Sequence, residues 1–129
     1  MTVRFTETDK NARAQTVVDK VDQGSTNANG QLWLVDSGDN PLSKHDMANP
    51  AFGTVASGAS TANAIQDATA ILAGSVAEFL IVNRDEQVVM RGTVGAVGSG
   101  ADMESATSSV TIALGENVVI GGFIYSEGS

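Results

Sequence analysis

His45 is the chain's single histidine, and it lies between Lys44 and Asp46. A serine hydrolase needs an imidazole that is oriented by a carboxylate and lies within reach of a serine hydroxyl. The neighbouring acid meets this requirement only in part, because adjacent residues rarely orient one another as triad members do. No Gly-x-Ser-x-Gly segment occurs that could present a serine nucleophile. We therefore predict an exposed loop histidine and no catalytic residue.

Oxygen-bearing side chains cluster at two places, with Asp36, Asp39 and Asn40 in one segment and Asp102 and Glu104 in another. The first group departs from the EF-hand spacing and is typical of an Asx turn, with a weak cation site as the alternative. The second pair would share one strand face, as paired carboxylates in glycosidases can, but the aromatic residues of a sugar platform are few. We predict a turn, a solvated strand edge and no metal ligand.

Cofactor chemistry finds little support in the residue types. The chain has no cysteine, which excludes thiolate metal sites, disulfides and cysteine nucleophiles. The glycines of residues 95–100 do not follow the dinucleotide fingerprint, and no phosphate-loop lysine is present. We expect no cofactor and no enzyme activity.

The charge balance is strongly acidic, with a net charge of −8 from 15 acidic and 7 basic residues. Binding to nucleic acid or to an anionic membrane depends on clustered Lys and Arg, and here the basic residues are scattered. No apolar run approaches the ~20 residues of a membrane helix, and the opening residues lack the apolar core of a signal peptide. We therefore expect neither nucleic acid nor a membrane as a partner.

One amphipathic stripe predicts a helix over about residues 9–22, which Gly24 would end. The apolar positions of this stripe are Ala14, Val17, Val18 and Val21. Residues 1–8 precede the helix as a short arm. The rest of the chain favours strands, because it is rich in Val, Ile and Thr and is divided by turn residues.

The densest apolar run, residues 79–82, opens a predicted hairpin over residues 76–94. A run without alternation indicates a central strand that is covered on both faces. Two registers remain open. A five-residue loop pairs Leu80 with Met90, and a two-residue turn at residues 85–86 pairs Leu80 with Arg91. We prefer the first, because it places bulky apolar residues opposite each other.

The hairpin should then contribute Leu80, Val82, Val88 and Met90 to the core. Residues 31–35 predict a further strand, whose side chains alternate between two faces. Residues 42–48 suggest irregular structure. About seven to nine short strands predict one domain over residues 1–129, mainly β, built as an antiparallel β-sandwich or a jelly-roll-like barrel with one N-terminal α-helix.

Several segments occur in an order that is similar to a family of small virion proteins of tailed bacteriophages. They are residues 11–13 (NAR), 49–53 (NPAFG), the hairpin strands 79–82 and 88–94, 100–103 (GADM) and 123–128 (FIYSEG). The resemblance covers about residues 9–128. It implies a non-enzymatic structural component of the phage particle, most specifically a head decoration or cement protein.

Such a protein would be made in the host cytoplasm, would bind the major capsid protein on the outer surface of the capsid, and would form a small homo-oligomer. We expect Val3, Arg4 and Phe5 of the arm to make the partner contact, by strand addition. Two alternatives remain. One is a neck, tail-tube or tail-tip component. The other is a carbohydrate-binding module with Trp33 and Tyr125 as its stacking platform.

Overall fold

A computed structural model describes residues 7–95, 98, 103–104, 110–120 and 123–126. In chain order its elements are α1 (Glu7–Val21), β1 (Gln31–Val35), β2 (Pro41–Asp46), β3 (Ala59–Thr61), β4 (Ala68–Thr69), β5 (Gly74–Ser75), β6 (Glu78–Val82), β7 (Val88–Gly95), β8 (Met103–Glu104), β9 (Thr111–Ile112), β10 (Asn117–Val118) and β11 (Ile124–Ser126). The predicted class, mainly β with one N-terminal helix, is confirmed.

The strands of the described residues form one five-stranded sheet and three short ladders. The sheet order is β2-β1-β6-β7-β8, and the ladders pair β3 with β11, β4 with β10 and β5 with β9. All pairings are antiparallel except that of β7 with β8, which is parallel. These sheets are open and do not close into a barrel, so the sandwich-like alternative describes the architecture better than the barrel.

The main core lies on one face of the five-stranded sheet. β1 and β6 place Leu32 beside Ile81 and Leu34 beside Phe79, and all four side chains are buried. Helix α1 covers part of this face through its apolar stripe, because Val18 and Val21 belong to the same buried cluster. The alternation predicted for residues 31–35 and the central position predicted for residues 79–82 are therefore confirmed.

A smaller cluster occupies the opposite face of the sheet. Val35, Leu80 and Val82 are buried there beneath the half-buried indole of Trp33. The Lys44 ammonium lies 4.2 Å from the centroid of the indole ring. A cation over an aromatic face is attracted by the ring quadrupole. One aromatic ring and the stem of one lysine thus cover a sheet face that would otherwise be open to water.

The register of the hairpin differs from the preferred prediction. Leu80 pairs with Arg91 rather than with Met90, and a bulge shifts the ladder between Ile81 and Val82. The predicted five-residue loop, residues 83–87, is present, because Val82 pairs with Val88, and within it the Asn83 amide donates to the Gln87 carbonyl over 2.9 Å. The bulge alone moves Leu80 from Met90 to Arg91. The bulge places Arg91 on the outer face of the sheet.

There Arg91 forms ion pairs with Asp39 at 3.2 Å and with Glu78 at 3.7 Å. The shift also changes which apolar residues of β7 are covered. Leu80 and Val82 are buried as expected and Met90 is half-buried, but Val88 is 54% exposed, so its assignment to the core was wrong.

Glu86, in the hairpin loop, has its backbone in the left-handed region, with a φ of 61°. A side chain is disfavoured there because Cβ approaches the following carbonyl oxygen. We expect Glu86→Gly to raise the free energy of unfolding by about 0.5–1 kcal/mol. Urea unfolding measures the change. Glu116→Gly, at an exposed turn position without a positive φ, is the matched control and should lower stability.

Residues 41–46, expected in large part to be irregular, form edge strand β2. Pro41 begins the strand, where a missing N–H is tolerated. The ladder with β1 pairs Leu34 with Ser43 and Leu32 with His45. Two polar side chains therefore lie on the core face of this strand, which is why its pattern did not indicate a strand.

Some predictions fall on residues outside those described. Val3, Arg4 and Phe5 of the arm lie there, as does Asp102, and the side chain of Glu104 is likewise not described. The helix predicted over residues 9–22 is confirmed as Glu7–Val21. Within the described part of the chain, no helix combines the length and the apolar character that crossing a membrane requires.

Candidate functional site

His45 and Ser43 form a buried polar pair on β2. The Ser43 Oγ and the His45 Nε2 are 2.9 Å apart, and the His45 Nδ1 lies 2.9 Å from the Gln66 carbonyl oxygen. A carbonyl only accepts, so Nδ1 carries the proton and Nε2 accepts from the serine hydroxyl. The prediction of an exposed loop histidine was wrong, because both side chains are 0% exposed.

The Ser43–His45 distance is that of an activated nucleophile and its base, but the surroundings differ from those of a hydrolase. A backbone carbonyl, not a carboxylate, orients the imidazole. The Asp46 side chain is turned elsewhere and accepts a 2.8 Å hydrogen bond from Gln31 Nε2. Burial lowers the pKa of His45, against an opposing effect of the Gln66 carbonyl and of Asp67 and Asp46. The pair therefore links β2 to the segment around Gln66 as a neutral hydrogen-bonded unit.

The acidic segment of residues 36–40 is an Asx turn, as predicted. Asp36 Oδ1 accepts hydrogen bonds from the Gly38 and Asn40 amides, both at 2.9 Å. These bonds lower the pKa of Asp36, the Asn40 amide having the largest effect. The carboxylate is thus used within its own turn. Among the residues that the structure describes, no group of three acidic or histidine side chains is placed to hold a metal ion.

The two rings of the proposed sugar platform lie in different clusters. Trp33 covers the smaller cluster on the outer face of the sheet, and its Nε1 donates to Gln31 Oε1 over 2.9 Å. Tyr125, on β11, packs against the main core on the other side. The two rings therefore do not lie side by side, and they do not form one stacking surface.

Three large aliphatic side chains are exposed where two loops meet. Ile71 and Leu72 follow β4 and are 56% and 45% exposed, and Leu114, in the turn after β9, is 69% exposed. Hydrogen bonds from the Ala70 amide to the Glu116 carbonyl, at 2.8 Å, and from the Gly115 amide to the Ala70 carbonyl, at 3.0 Å, join the two loops. We call the two loops that carry these three side chains the apolar loop pair.

The apolar loop pair stands on a well-packed base. Ala70, Val76, Ile112 and Val118 flank the two loops in sequence and are all buried. The Ile71 amide also donates to the Leu42 carbonyl of β2 over 2.8 Å. The loops are therefore held in place by the core, while their aliphatic tips face water. Exposed aliphatic side chains that are grouped in this way are typical of protein contact surfaces.

Sequence reasoning did not find the apolar loop pair. No role is predicted from the sequence for Ile71, Leu72 or Leu114. A signal was present, since a leucine between Ala113 and Gly115 in a turn is an apolar residue at a position that usually carries a polar one.

Comparisons of the chain with protein-family models, with curated proteins and with solved structures found no match. A functional assignment therefore depends on the chain's own residues and on the geometry of the surfaces described above.

Proposed function

We propose that the protein is a non-enzymatic structural component of a tailed-phage particle, a decoration protein that binds the major capsid protein on the outer surface of the head. The observation that carries this proposal is the apolar loop pair, a group of exposed aliphatic tips on a rigid β frame. The order of sequence segments supports the particle as the setting.

The energetics of the apolar loop pair suit a repeated contact. Full burial of an aliphatic side chain such as Ile71, Leu72 or Leu114 contributes about 1.5–3 kcal/mol. Association itself costs several kcal/mol in lost freedom, so one such patch gives modest affinity for each copy. A homo-oligomer that engages several capsid subunits gains the rest through effective concentration. The acidic surface adds charge repulsion between free copies, which keeps them apart before assembly.

Leu114→Asp tests the contact directly. The wild-type protein is first stripped from purified heads. We expect Leu114→Asp to bind these heads about tenfold or more weakly than wild type does, because a carboxylate cannot be buried without a partner. Co-sedimentation with the heads measures occupancy. Val88→Asp is the matched control, since Val88 is 54% exposed on the hairpin, away from the loop pair in sequence and ladder.

Thermal unfolding of both variants separates a lost contact from a lost fold. Equal occupancy of Leu114→Asp and wild type would contradict the assignment of the contact. Copy number in intact particles separates the remaining alternatives. A decoration protein approaches the number of capsid subunits or capsomers, whereas a neck, tail-tube or tail-tip component is present in far fewer copies.

A further inference from the structure

The apolar loop pair continues into one side of the ladder that β4 forms with β10. This ladder pairs Thr69 with Asn117. Side chains alternate between the two sides of a strand, so the buried Val118 points to the core while Thr69 and Asn117 point to water. Val119 takes the outward side again and is 62% exposed. We call this outward side, from the apolar loop pair to Val119, the ladder face.

The ladder face is apolar at both ends and polar in the middle. The register of the ladder, continued by one residue, sets Val119 opposite Asp67. A strand rises about 3.3 Å for each residue, so Ile71 lies about 13 Å along the strand from Asp67. One partner surface can therefore contact the apolar loop pair and Val119 at the same time, and it would bury more aliphatic area than the loop pair offers alone.

The charges of the ladder face are carboxylates. Asp67 and Glu116 are exposed at its margins, and within the described part of the chain neither forms an ion pair. The seven basic residues of the chain all lie within residues 4–44 and 84–91. Both strands of the ladder and both loops of the apolar loop pair belong to the other segments, which contain no Lys or Arg. The segments that build the ladder face thus supply no cation to its acids.

The neighbouring strand β2 does carry a cation, but that cation is used elsewhere. The Lys44 ammonium lies 4.2 Å from the centroid of the Trp33 ring and 3.9 Å from a carboxylate oxygen of Glu86. Both partners belong to the outer face of the five-stranded sheet and its hairpin. The charge of the ladder face therefore stays negative.

A second copy of this chain is a poor occupant for the ladder face. A two-fold symmetric contact places the same patch on both sides. The carboxylates of one copy would then meet those of the other, and like charges that face each other across an interface oppose binding. The exposed aliphatic side chains favour a contact, and the acids at the margin select the chemistry of the partner.

We propose that the ladder face binds a partner surface in which Lys or Arg side chains surround an apolar hollow. The inference rests on the proposed function, which makes the outer surface of the major capsid protein this partner. Ile71, Leu114 and Val119 enter the apolar hollow. Asp67 and Glu116 pair with the cations around it. Charges at the margin speed association and exclude wrong partners, while the buried aliphatic side chains hold the complex together.

Charge reversal at Glu116 tests the partner's charge on stripped heads. At about 50 mM NaCl we expect Glu116→Lys to bind about tenfold more weakly than wild type, because an ion pair is replaced by a repulsion. Raising the salt to about 500 mM should weaken wild type and bring the two affinities together, since salt screens exposed charges. Co-sedimentation over the salt series measures both affinities.

Asp19→Lys is the matched control, because it changes the net charge equally at an exposed position on α1. It should keep the affinity and the salt dependence of wild type. Thermal unfolding checks that both variants keep their fold. If Glu116→Lys and Asp19→Lys bound equally well at every salt concentration, the partner surface would not be basic and the inference would be wrong.

A peptide in which lysine and leucine alternate tests the ladder face without phage heads. Added to the isotope-labelled full chain, it should shift the amide resonances of residues 67–72 and 114–119, and it should do so less in Glu116→Lys. A peptide in which glutamate and leucine alternate should shift neither segment. Equal shifts from the two peptides, or shifts that extend to the acidic residues of α1 and the hairpin, would contradict the proposed chemistry.

These measurements separate the inference from the proposed function. If heads bound neither wild type nor Leu114→Asp, the decoration role would fail, and the two peptides would still decide the partner's chemistry. If Leu114→Asp lost head binding while Glu116→Lys kept it, the decoration role would stand and the basic partner would be wrong. Sedimentation equilibrium gives the last outcome: a wild-type dimer that Val119→Asp abolishes would make a second copy the occupant and overturn the inference.

Discussion

Gly30→Ala is expected to lower the free energy of unfolding by about 2–3 kcal/mol, as overpacking of a closed core does. A Cβ at this position would lie 2.6 Å from the Val21 Cγ1, 2.7 Å from the Val21 carbonyl oxygen and 2.8 Å from the Val82 carbonyl oxygen. Two of these three atoms are backbone, at the end of α1 and at the end of β6. Neither can withdraw unless its whole element moves.

The same clash identifies what Gly30 does in the fold. It lets the last turn of α1 approach the start of β1 closely enough for Val21 to join the core beside the sheet. Its carbonyl also accepts the Met47 amide at 3.0 Å, so the position contacts three parts of the chain. A displaced backbone at residue 30 would therefore disturb the helix, the sheet and the segment after β2 together.

Gly53→Ala is the matched control for Gly30→Ala. The nearest atom to a Cβ at Gly53 is the Thr61 carbonyl oxygen, at 3.5 Å, an ordinary contact distance. This variant should keep or slightly raise stability, because alanine restricts the unfolded chain. Urea midpoints at constant m-value compare the two. Equal midpoints would show that α1 and the sheet are not packed as closely as described.

Features that depend on local pattern could be predicted from the sequence. The helix stripe, the alternation of residues 31–35 and the apolar run of residues 79–82 each show their burial in their own spacing. Helix and strand periodicity result from neighbours within a few residues. The structure contains the helix and the two strands predicted from these patterns, and the ends of α1 lie within two residues of the predicted ends.

The register of the hairpin could not be predicted in this way. Val88 and Val89 are both apolar, so the sequence does not say which of them faces the core. The choice is made by the bulge between Ile81 and Val82, next to a loop that holds Glu86 in the left-handed region. A one-residue slip reverses every side chain beyond it, which is how Arg91 came to lie opposite Leu80.

The candidate sites depend on contacts between distant residues. His45 looked like a loop residue because its partner, the Gln66 carbonyl, is 21 positions away. The exposure of Ile71 and Leu114 likewise results from where two loops meet, not from either loop alone. Polar residues in a core and aliphatic residues on a surface both contradict the local pattern, and such contradictions are expected at functional or specialised positions.

His45→Ala is expected to lower the free energy of unfolding by about 2–4 kcal/mol near pH 8. The substitution opens a cavity in a fully buried site and leaves the Ser43 hydroxyl and the Gln66 carbonyl without their partner. A cavity and an unpaired buried polar group each cost about 1–3 kcal/mol. Chemical denaturation of the variant and of wild type measures the difference.

That difference should shrink as the pH falls. The folded pKa of His45 lies below its ordinary value of 6.5, because burial disfavours the imidazolium. The unfolded chain therefore binds the proton first, and stability is lost as the pH falls through 6.5 towards the folded pKa. His45 is the chain's single histidine, so His45→Ala should lose the part of the pH dependence that begins at pH 6.5, where ordinary carboxylates do not titrate.

Ser43→Ala is the control that separates titration from hydrogen bonding. It removes the 2.9 Å bond to Nε2 but keeps the imidazole buried, so it should lose stability and yet retain the slope between pH 6.5 and the folded pKa. If His45→Ala kept the wild-type slope, the imidazole would not be the group that titrates. A slope present in wild type and Ser43→Ala and absent in His45→Ala would establish His45 as a neutral internal link between β2 and the Gln66 segment.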